Sequence, residues 1–308
     1  MKIYTHAPRE NWICDRIQKE WNNSIDKNLV SIDYNNSDII WLLAGWCWNH
    51  IPLNVLKSKK VVVTVHHIVP EKFDNQKLAE FKYRDAFVDV YHVPNETTAL
   101  IVRQLTDKQI YIIPYWYDDS LWQTNLSHEQ AKTKFSLPKD NFIIGSFQRD
   151  SEGETDRPKL EKGPDIFCDT VNYIRENINS NIHIFLGGWR RKYVVKRLKE
   201  LNISYTLKEL ADEKDLPDMY KACNLYIVSS RYEGGPQAIL EASVLNTPII
   251  SRNVGIAKNI LDPYNIVDLP NQVFLPSKES IKYNRKNVEK FKISTHKNNF
   301  LEMFRNLI

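Results

Sequence analysis

Residues 225–242 read L-Y-I-V-S-S-R-Y-E-G-G-P-Q-A-I-L-E-A, and they indicate the fold class more clearly than any other stretch. The apolar residues 225–228 predict a buried strand. A polar loop with Gly234 and Gly235 follows, and Pro236 predicts the first position of a helix, where its missing N–H costs nothing. A buried strand that runs through a glycine-containing loop into a helix is typical of a parallel α/β sheet.

The same alternation of short apolar runs and amphipathic stretches continues along the whole chain. Strands are predicted at 2–5, 29–32, 39–43, 61–65, 89–92 and 110–113, and then at 142–145, 182–186, 225–228 and 249–250. Helices are predicted at 11–21, 76–86, 97–105, 127–135, 164–176, 192–201, 216–222 and 237–245. Strand–helix alternation implies parallel sheets that are covered by helices on both faces.

This pattern predicts an α/β protein of two Rossmann-like, doubly wound domains. We expect residues 1–123 to form an N-terminal domain and residues 124–284 to form a C-terminal domain. Residues 285–308 are expected to form one last helix that packs back on the first domain. The length of 308 residues suits two domains.

Composition excludes several classes of protein. Hydrophobic residues make up 42% and charged residues 26% of the chain, which is ordinary for a globular protein. No apolar run approaches the roughly 18 residues that span a bilayer, and the N-terminus lacks a signal-peptide pattern, so we expect a cytoplasmic protein. The four cysteines form no C-x-x-C pair, which argues against a zinc knuckle or a disulfide scaffold.

The charge is unevenly distributed. Residues 1–125 carry 14 basic and 15 acidic side chains, whereas the remainder carries 28 basic and 23 acidic ones. A nucleic-acid-binding protein usually shows a clustered basic stripe. A mild excess confined to the second half favours a small polyanion such as a diphosphate, and it makes nucleic acid an improbable partner.

The loop before residue 237 is a candidate binding site, because ligands of such folds lie beyond the carboxyl ends of the strands. The free N–H groups of a first helical turn attract anions. Glu233 before this helix and Glu241 within it carry carboxylates that can accept hydrogen bonds from a polyol. On spacing alone, two glutamates that simply face solvent are an equally good interpretation.

A second candidate site combines Arg149, which follows the strand predicted at 142–145, with Lys162 at the start of the next helix. Two fixed cations suit a diphosphate and would stabilise the charge that develops on it as a bond to it breaks. Between them lies a charged segment, residues 150–161, that we expect to be a solvated, mobile loop. Arg157 or Lys159 are alternatives to Arg149.

Candidate residues of the first domain follow its predicted strands. His66 ends the strand at 61–65 and can donate a hydrogen bond to a sugar hydroxyl or a leaving group; the alternative is a histidine satisfied by backbone. Trp46 and Trp48 offer faces that stack on sugar rings, although core filling explains them too. Asn11, in the first loop, is a further acceptor-side candidate.

The segment E-G-G-P-Q-A-I-L-E-A, which holds Glu233 and Glu241, resembles the E-x7-E motif of retaining family 4, or group 1, glycosyltransferases of the GT-B fold. The resemblance extends over nearly all of residues 140–262 and includes N-T-P-I-I at 246–250. It implies two Rossmann-like domains that face each other across a cleft, with the acceptor bound by the domain of residues 1–123 and the nucleotide-sugar donor bound by the domain of residues 124–284.

The resemblance also implies roles for the candidate residues. In that family the first glutamate contacts the donor sugar and the second contacts the ribose, which are Glu233 and Glu241 here. Arg149 and Lys162 would hold the pyrophosphate, and His66 would lie near the reacting sugar. The loop residues Gly234, Gly235, Pro236 and Gln237 would complete the donor site. The chain departs from the family in its long segment 150–161 and in a first loop without glycine.

The sequence therefore predicts a retaining glycosyltransferase that moves a sugar from a nucleotide diphosphate, most simply UDP or GDP, to a carbohydrate or lipid-linked acceptor. No cofactor and no metal are expected, and a peripheral membrane contact is compatible with such an acceptor. Three alternatives stay open: a GT-B nucleotide-sugar epimerase or hydrolase, a transferase acting on a nucleic-acid base, and a non-catalytic sugar-binding module.

Overall fold

The protein is described by a computed structural model that covers residues 1–10 and 13–308. Two compact units can be distinguished. The first consists of Met1–Asp118 together with Phe291–Ile308, and the second of Asp119–Lys290.

The first unit is built on a six-stranded parallel sheet in the order β2-β1-β3-β4-β5-β6. Its strands are β1 (Ile3–His6), β2 (Val30–Ser31), β3 (Ile39–Leu42), β4 (Lys60–Thr64), β5 (Val90–Val93) and β6 (Ile110–Ile112). Its helices are α1 (Ile13–Ser24), α2 (Leu53–Leu56), α3 (Asn75–Asp85), α4 (Glu96–Val102) and the C-terminal α12 (Ile293–Arg305).

The second unit holds a five-stranded parallel sheet in the order β11-β10-β7-β8-β9. Its strands are β7 (Phe142–Ser146), β8 (Ile182–Gly187), β9 (Tyr205–Lys208), β10 (Leu225–Val228) and β11 (Ile249–Ser251). Its helices are α5 (His128–Lys134), α6 (Pro164–Asn177), α7 (Lys192–Glu200), α8 (Leu216–Lys221), α9 (Gln237–Val244), α10 (Ala257–Ile260) and α11 (Lys278–Val288).

The central strands are buried on both faces, as their continuous apolar runs predicted. Every residue of β3, β5, β8 and β10 is buried. The strand that sequence analysis missed is β9, an edge strand whose residues are half-buried or exposed. A strand of that kind lacks the apolar run by which the others were found.

Both sheets reverse their strand order at one point, and this positions the candidate sites. In the second unit β7 and β10 are adjacent although 78 residues of the chain, 147–224, separate them. In the first unit β1 lies between β2 and β3. Loops on either side of such a reversal diverge, and the space between them is where doubly wound sheets bind ligands.

The last helix predicted at 285–308 is wrong, because the structure has two helices there. The chain leaves helical geometry at Lys292, whose ψ is 131°. Phe291 and Ile293 flank that residue and exchange backbone hydrogen bonds with Tyr117 at 3.1 and 3.0 Å. This pairing with an extended segment of the first unit separates α11 from α12.

Helix α12 packs into an aromatic cluster of the first unit. Phe300 and Phe304 are buried and lie 5.4 and 5.3 Å, centroid to centroid, from the ring of Trp41. Trp21 and Trp116 complete the cluster. Trp21, Trp41 and Trp116 are therefore core residues of the first unit.

Among residues 1–10 and 13–308, no helix combines the length and the apolar character that crossing a bilayer requires.

Candidate active site

The loops that follow β7 and β10 are joined by a network around Lys162. Its Nζ donates to Glu233 Oε1 at 2.7 Å, and both side chains are largely buried. Ser230 Oγ donates to the same carboxylate oxygen at 2.9 Å. Gln148 Nε2 donates to the Lys162 carbonyl oxygen at 3.0 Å. Two residues predicted to act together, 71 positions apart, are therefore direct partners.

The approach of these two loops depends on Gly163. This residue lies before α6 with a φ of 60°, in the left-handed region that favours glycine. A Cβ atom there would come within 2.0 Å of the Ser229 carbonyl oxygen. Backbone contact on this scale is open only to glycine, and it carries Lys162 against the loop that holds Glu233.

Further bonds fasten the same two loops together. The backbone N–H groups of Arg231 and Tyr232 donate to the Glu161 carbonyl oxygen at 2.9 and 3.2 Å. The Arg231 guanidinium forms a two-pronged pair with Asp165 at 2.7 and 2.6 Å. Although burial would raise the pKa of Asp165, hydrogen bonding to Arg231 and its charge lower it. Such bidentate pairs fix direction as well as distance.

Glu241 is buried and is held by a tyrosine. Tyr220 Oη, from α8, donates to Glu241 Oε2 at 2.6 Å. Burial, and then the charge of Glu241, raise the pKa of Tyr220 well above its ordinary value, so the phenol stays protonated as a donor. Glu241 is therefore not a solvent-facing side chain on the helix surface.

Helix α9 begins at Gln237, as predicted, but Pro236 lies at the N-cap position and not at the first helical position. Gly255 packs against this turn: its φ is 54°, and a Cβ atom on it would lie 2.5 Å from Pro236 Cδ and 2.7 Å from the Gly234 carbonyl oxygen. A second glycine-dependent contact thus supports the loop of residues 233–236.

The expectation of a mobile loop at 150–161 is wrong. Asp150 and Ser151 are buried, and both donate backbone N–H groups to the Arg190 carbonyl oxygen at 3.0 and 3.1 Å. Ser151 and Pro158 form an antiparallel bridge. Glu154 and Asp156, two of the charged residues that suggested a solvated run, form ion pairs with Arg190, Lys192 and Lys196 at the start of α7.

Arg191 forms an ion pair with the first residue of that segment, Asp150. Its buried guanidinium lies 2.6 Å from Asp150 Oδ2 and donates to the carbonyl oxygens of Ser146 and Gly187 at 2.9 and 3.0 Å, and also to that of Gln148. Burial raises the pKa of Asp150, which the Arg191 charge opposes. The arginine ties together the ends of β7 and β8, and sequence analysis gave no sign of it.

The cations proposed for a diphosphate differ in their surroundings. Arg149 is half-buried at the end of β7. The alternatives are placed otherwise: Arg157 is exposed, and Lys159 Nζ pairs with Glu161 Oε1 at 2.8 Å. Their positions favour Arg149 over both, and its role stays a prediction.

In the first unit, both ring nitrogens of His66 are engaged by protein. Nε2 lies 2.7 Å from the Leu43 carbonyl oxygen, to which it donates, and Nδ1 lies 2.5 Å from Tyr115 Oη, from which it accepts. Cys14 Sγ is 3.4 Å from Nε2. This is the backbone-satisfied histidine considered above, and a direct catalytic role for His66 stays a prediction.

The acceptor-side candidates divide. Trp46 is 55% exposed, with its ring centroid 6.4 Å from that of His66. Trp48 instead packs on Tyr83 and Phe87, at 5.3 and 5.6 Å between centroids. Asn11 lies outside the described residues.

The first loop has no glycine, yet it takes a glycine-like conformation. Arg9 has a φ of 63°, and the carboxylate of Asp15 accepts the N–H groups of Arg9 and Glu10 at 2.9 and 3.0 Å. Asp15 stands in the first turn of α1. An aspartate of the chain itself thus supports the turn.

Several of the contacting residues were not foreseen. Ser230 and Gln148 are polar and directly follow β10 and β7, so the rule that strand ends carry function could have found them. Tyr220 offered no such signal, because its position in the sequence is that of an ordinary helix residue, and Arg191 is one of three consecutive basic residues at the start of α7. In the described part of the chain, no group of three or more histidine, cysteine, aspartate or glutamate side chains is arranged to hold a metal ion.

Comparison with known families and structures gives concordant results. Residues 155–298 match the family described as glycosyl transferases group 1. Mannosylfructose-phosphate synthase of Agrobacterium fabrum is 26% identical over 251 residues, which cover 70% of this chain and 53% of that protein. The Escherichia coli enzyme UDP-Gal:alpha-D-GlcNAc-diphosphoundecaprenol alpha-1,3-galactosyltransferase is 29% identical over 227 residues, covering 67% and 56%. The chain thus spans about half the length of these curated relatives.

The fold is shared with solved structures over nearly the whole chain. Anabaena HepE in complex with UDP and glucose superposes with a TM-score of 0.77 at 14% identity, covering 99% of this chain and 100% of that one. The sucrose-phosphate synthase of Thermosynechococcus elongatus has a TM-score of 0.69 at 17% identity, covering 98% and 80%. The predicted GT-B fold is confirmed, and the match over residues 155–298 shows that this part of the chain is similar to the group 1 glycosyl transferases.

Proposed function

We propose that this protein transfers a sugar, with retention of anomeric configuration, from a nucleotide diphosphate to a hydroxyl group of a carbohydrate or lipid-linked acceptor. The observation that carries the proposal is the Lys162–Glu233 pair at the reversal of the second sheet, with Ser230 and Gln148 around it. This arrangement offers a cation for a diphosphate and a carboxylate for sugar hydroxyls within one hydrogen bond of each other.

The chemistry follows from these charges. When the bond between the sugar and the diphosphate breaks, negative charge develops on the leaving phosphate. Lys162, together with Arg149, would stabilise that charge, an effect that in preorganised sites reaches about 10²–10³ in rate for a single donor. Glu233 would orient the sugar through its hydroxyl groups. Because fixed cations perform this task, we propose that the reaction needs no metal.

Glu241 is assigned to the nucleoside end of the donor. Its carboxylate has a second oxygen besides the one that Tyr220 holds. A ribose supplies neighbouring hydroxyl groups as donors, and a carboxylate of fixed orientation accepts from such a pair. Gly234, Gly235, Pro236 and Gln237 lie between the two glutamates and would face the sugar and the phosphate with their backbone.

The comparisons favour a UDP-linked donor over the GDP-linked alternative. HepE, which shares the fold, was solved with UDP and glucose. The E. coli relative is named for a UDP-galactose donor and a diphosphoundecaprenol-linked acceptor. An acceptor of that chemical class would place the protein at the inner membrane surface, and we include this peripheral contact in the proposal.

A donor screen followed by a transfer assay tests the proposal. UDP- and GDP-sugars are screened for a rise in melting temperature, since a ligand of the native state raises it. The best donor is then incubated with glycan and lipid-linked acceptors, with and without EDTA, and proton NMR reads the anomeric configuration of the product. An inverted product would overturn retention, and loss of transfer in EDTA would overturn metal independence.

Incubation with donor alone distinguishes the alternatives. Rapid nucleotide release or conversion of the donor sugar without an acceptor would identify a hydrolase or an epimerase. Donor binding with no turnover over the acceptor panel would identify a sugar-binding module. Transfer that requires an acceptor supports the proposed function.

A further inference from the structure

The exposed face of α11 carries a row of lysines. The residues that α11 buries, Ser280, Asn284 and Val288, are spaced four apart and so define one side of the helix. Lys278, Lys282 and Lys286 have the same spacing and are exposed. They therefore form a second row, about half a turn away from the buried one, that points to solvent.

This row is unfavourable for the helix on its own. Like charges four residues apart on a helix repel each other. Glu289, the acid at the end of α11, pairs with Arg285 instead. Over residues 1–10 and 13–308, no carboxylate forms an ion pair with Lys278, Lys282 or Lys286. A negatively charged partner would relieve that repulsion.

Apolar side chains are exposed beside the lysines. Tyr283, on the same helix, is 47% exposed, and Phe274, just before it, is 59% exposed. Aromatic rings that a folded protein leaves in water next to cations mark a contact surface.

Lysines and aromatic rings together match an anionic lipid surface. The lysines are attracted by acidic headgroups, and aromatic side chains are favourable at the boundary between headgroups and acyl chains. A nucleic acid would engage the lysines through its phosphates. Binding of a nucleic acid would not explain why Phe274 and its neighbour Leu275, which is 45% exposed, are accessible to solvent.

We propose that α11, with residues 274–275, docks the second unit on a membrane that contains anionic phospholipids. The surface is connected to the candidate active site, because α11 packs on α9, the helix that carries Glu241 and begins at the 233–236 loop. Docking through α11 would hold that loop at a set distance from the membrane. The inference deepens the proposed function by giving a lipid-linked acceptor its setting, and only this last step rests on that function.

Vesicle sedimentation with the full chain tests the proposal. The protein is mixed with vesicles of phosphatidylcholine alone or with 30% phosphatidylglycerol, at low and at physiological salt. We expect binding only to the anionic vesicles, weakening as salt rises. Lys278→Gln/Lys282→Gln/Lys286→Gln should lower the partition coefficient roughly a hundredfold. Each lysine near such a surface contributes roughly a fivefold factor, and the three factors multiply.

The matched control removes three exposed lysines from another helix of the same unit, as Lys192→Gln/Lys196→Gln/Lys199→Gln on α7. It changes the net charge equally and should alter the partition coefficient less than threefold. Equal losses in the two triple variants, or no binding of the wild type to anionic vesicles at low salt, would overturn the proposal. Displacement from vesicles by an equal mass of heparin with no change from Phe274→Ser/Tyr283→Ser would overturn it too, in favour of a polyanion site.

Two readouts separate this result from the proposed function. The melting temperature of the α11 triple variant should equal or exceed that of the wild type, because repulsion has been removed. Its transfer to a water-soluble acceptor should be unchanged, while transfer to an acceptor in anionic vesicles should fall with vesicle binding. Loss of transfer to both acceptors would instead implicate the active site and would overturn the assignment of α11 to docking.

Discussion

Lys162 Nζ lies 2.7 Å from Glu233 Oε1, so the cation assigned to the donor diphosphate and the carboxylate assigned to the donor sugar are each other's counter-ions. A diphosphate offers Lys162 more negative charge than one carboxylate does. We therefore expect donor binding to draw Lys162 to the phosphates and to leave Glu233 for the sugar hydroxyls. The pair would keep both groups in place until the donor arrives.

Substitutions of the two partners should consequently have different effects on binding. Glu233→Gln removes the competitor for Lys162, so UDP or GDP should bind at least as tightly as to the wild type while sugar transfer is lost. Lys162→Met should weaken nucleotide binding and lower kcat by about 10²–10³. Titration calorimetry with the nucleotide and a transfer assay measure the two quantities.

Lys196→Met is the control for these variants. Lys196 is an exposed residue of α7, and its ion pair with Asp156 lies at the protein surface. It should leave both binding and transfer unchanged. If Glu233→Gln weakened nucleotide binding as much as Lys162→Met, the competition described here would be contradicted.

The close approach of the two loops at Gly163 predicts a large effect of one added methyl group. Gly163→Ala must move the Ser229 carbonyl, which a Cβ atom would meet at 2.0 Å. Gly153→Ala is the matched control: its φ is similar, at 57°, but nothing lies within 4 Å of a Cβ atom there. The control should lose about 1–2 kcal/mol from backbone strain alone, and Gly163→Ala should lose about 4 kcal/mol or more.

Urea unfolding measures these losses. Equal losses in the two variants would show that φ alone, and not the backbone contact with Ser229, makes Gly163 necessary. Donor binding by a folded fraction of Gly163→Ala should also be weakened, whereas Gly153→Ala should bind the donor normally.

The hydrogen bond from Tyr220 to Glu241 predicts a specific change in donor affinity. Tyr220→Phe keeps the ring and removes the hydroxyl, so the Glu241 carboxylate loses one donor that fixes its direction. The KM for the nucleotide sugar should rise about tenfold, which corresponds to about 1–2 kcal/mol for such a bond. Tyr173→Phe, on the surface of α6, is the control and should leave the KM unchanged. A fall in kcat at constant KM would argue that Glu241 does not contact the donor in its ground state.

The two candidate tryptophans should separate stability from function. Trp48 packs on Tyr83 and Phe87, and Trp48→Ala should lower the free energy of unfolding by about 3 kcal/mol. Trp46 is more than half exposed, so Trp46→Ala should leave stability within about 0.5 kcal/mol. If Trp46 forms part of the acceptor surface, its variant should raise the KM for the acceptor and not for the donor. An unchanged acceptor KM would remove Trp46 from the site.

A buried histidine predicts how stability depends on pH. Thr64 Oγ1 lies 2.9 Å from His92 Nδ1, and His92 Nε2 lies 2.7 Å from the Ile113 carbonyl oxygen. Burial lowers the pKa of His92 to about 3. Its value in the unfolded chain is about 6.5. Between these values the unfolded state binds a proton that the native state does not, so stability decreases as the pH falls.

Each such histidine lowers the free energy of unfolding by up to about 1.4 kcal/mol per pH unit in that window. His6, whose pKa burial lowers to about 4, acts in the same direction. Unfolding in urea at pH 6.5, 5.5 and 4.5 should therefore show a steeper decline for the wild type than for His92→Gln, which cannot be protonated. Parallel declines would contradict a neutral His92 in the native state.

The prediction of the α/β class and of the strand–loop–helix segment at 225–242 succeeded because the interactions behind them are local. A strand, its loop and the start of α9 fit within residues 225–242, and apolar runs and helical spacing appear directly in the sequence. The prediction failed where a distant segment overrides the local pattern. The break between α11 and α12 comes from pairing with Tyr117, about 175 residues earlier. The expected loop at 150–161 is held by α7 instead.

By itself, the sequence determined which charged and polar residues follow the strands of the two sheets. Only the tertiary structure decided which of them meet. Lys162 reaches Glu233 because β7 and β10 are neighbours in the second sheet, and no periodicity in the chain encodes that order. In the same structure both ring nitrogens of His66 form hydrogen bonds, to Leu43 and Tyr115, and Trp48 packs on Tyr83. The physical reason is that strand order is set by the burial of two whole sheet faces, whereas a motif is set by a few adjacent residues.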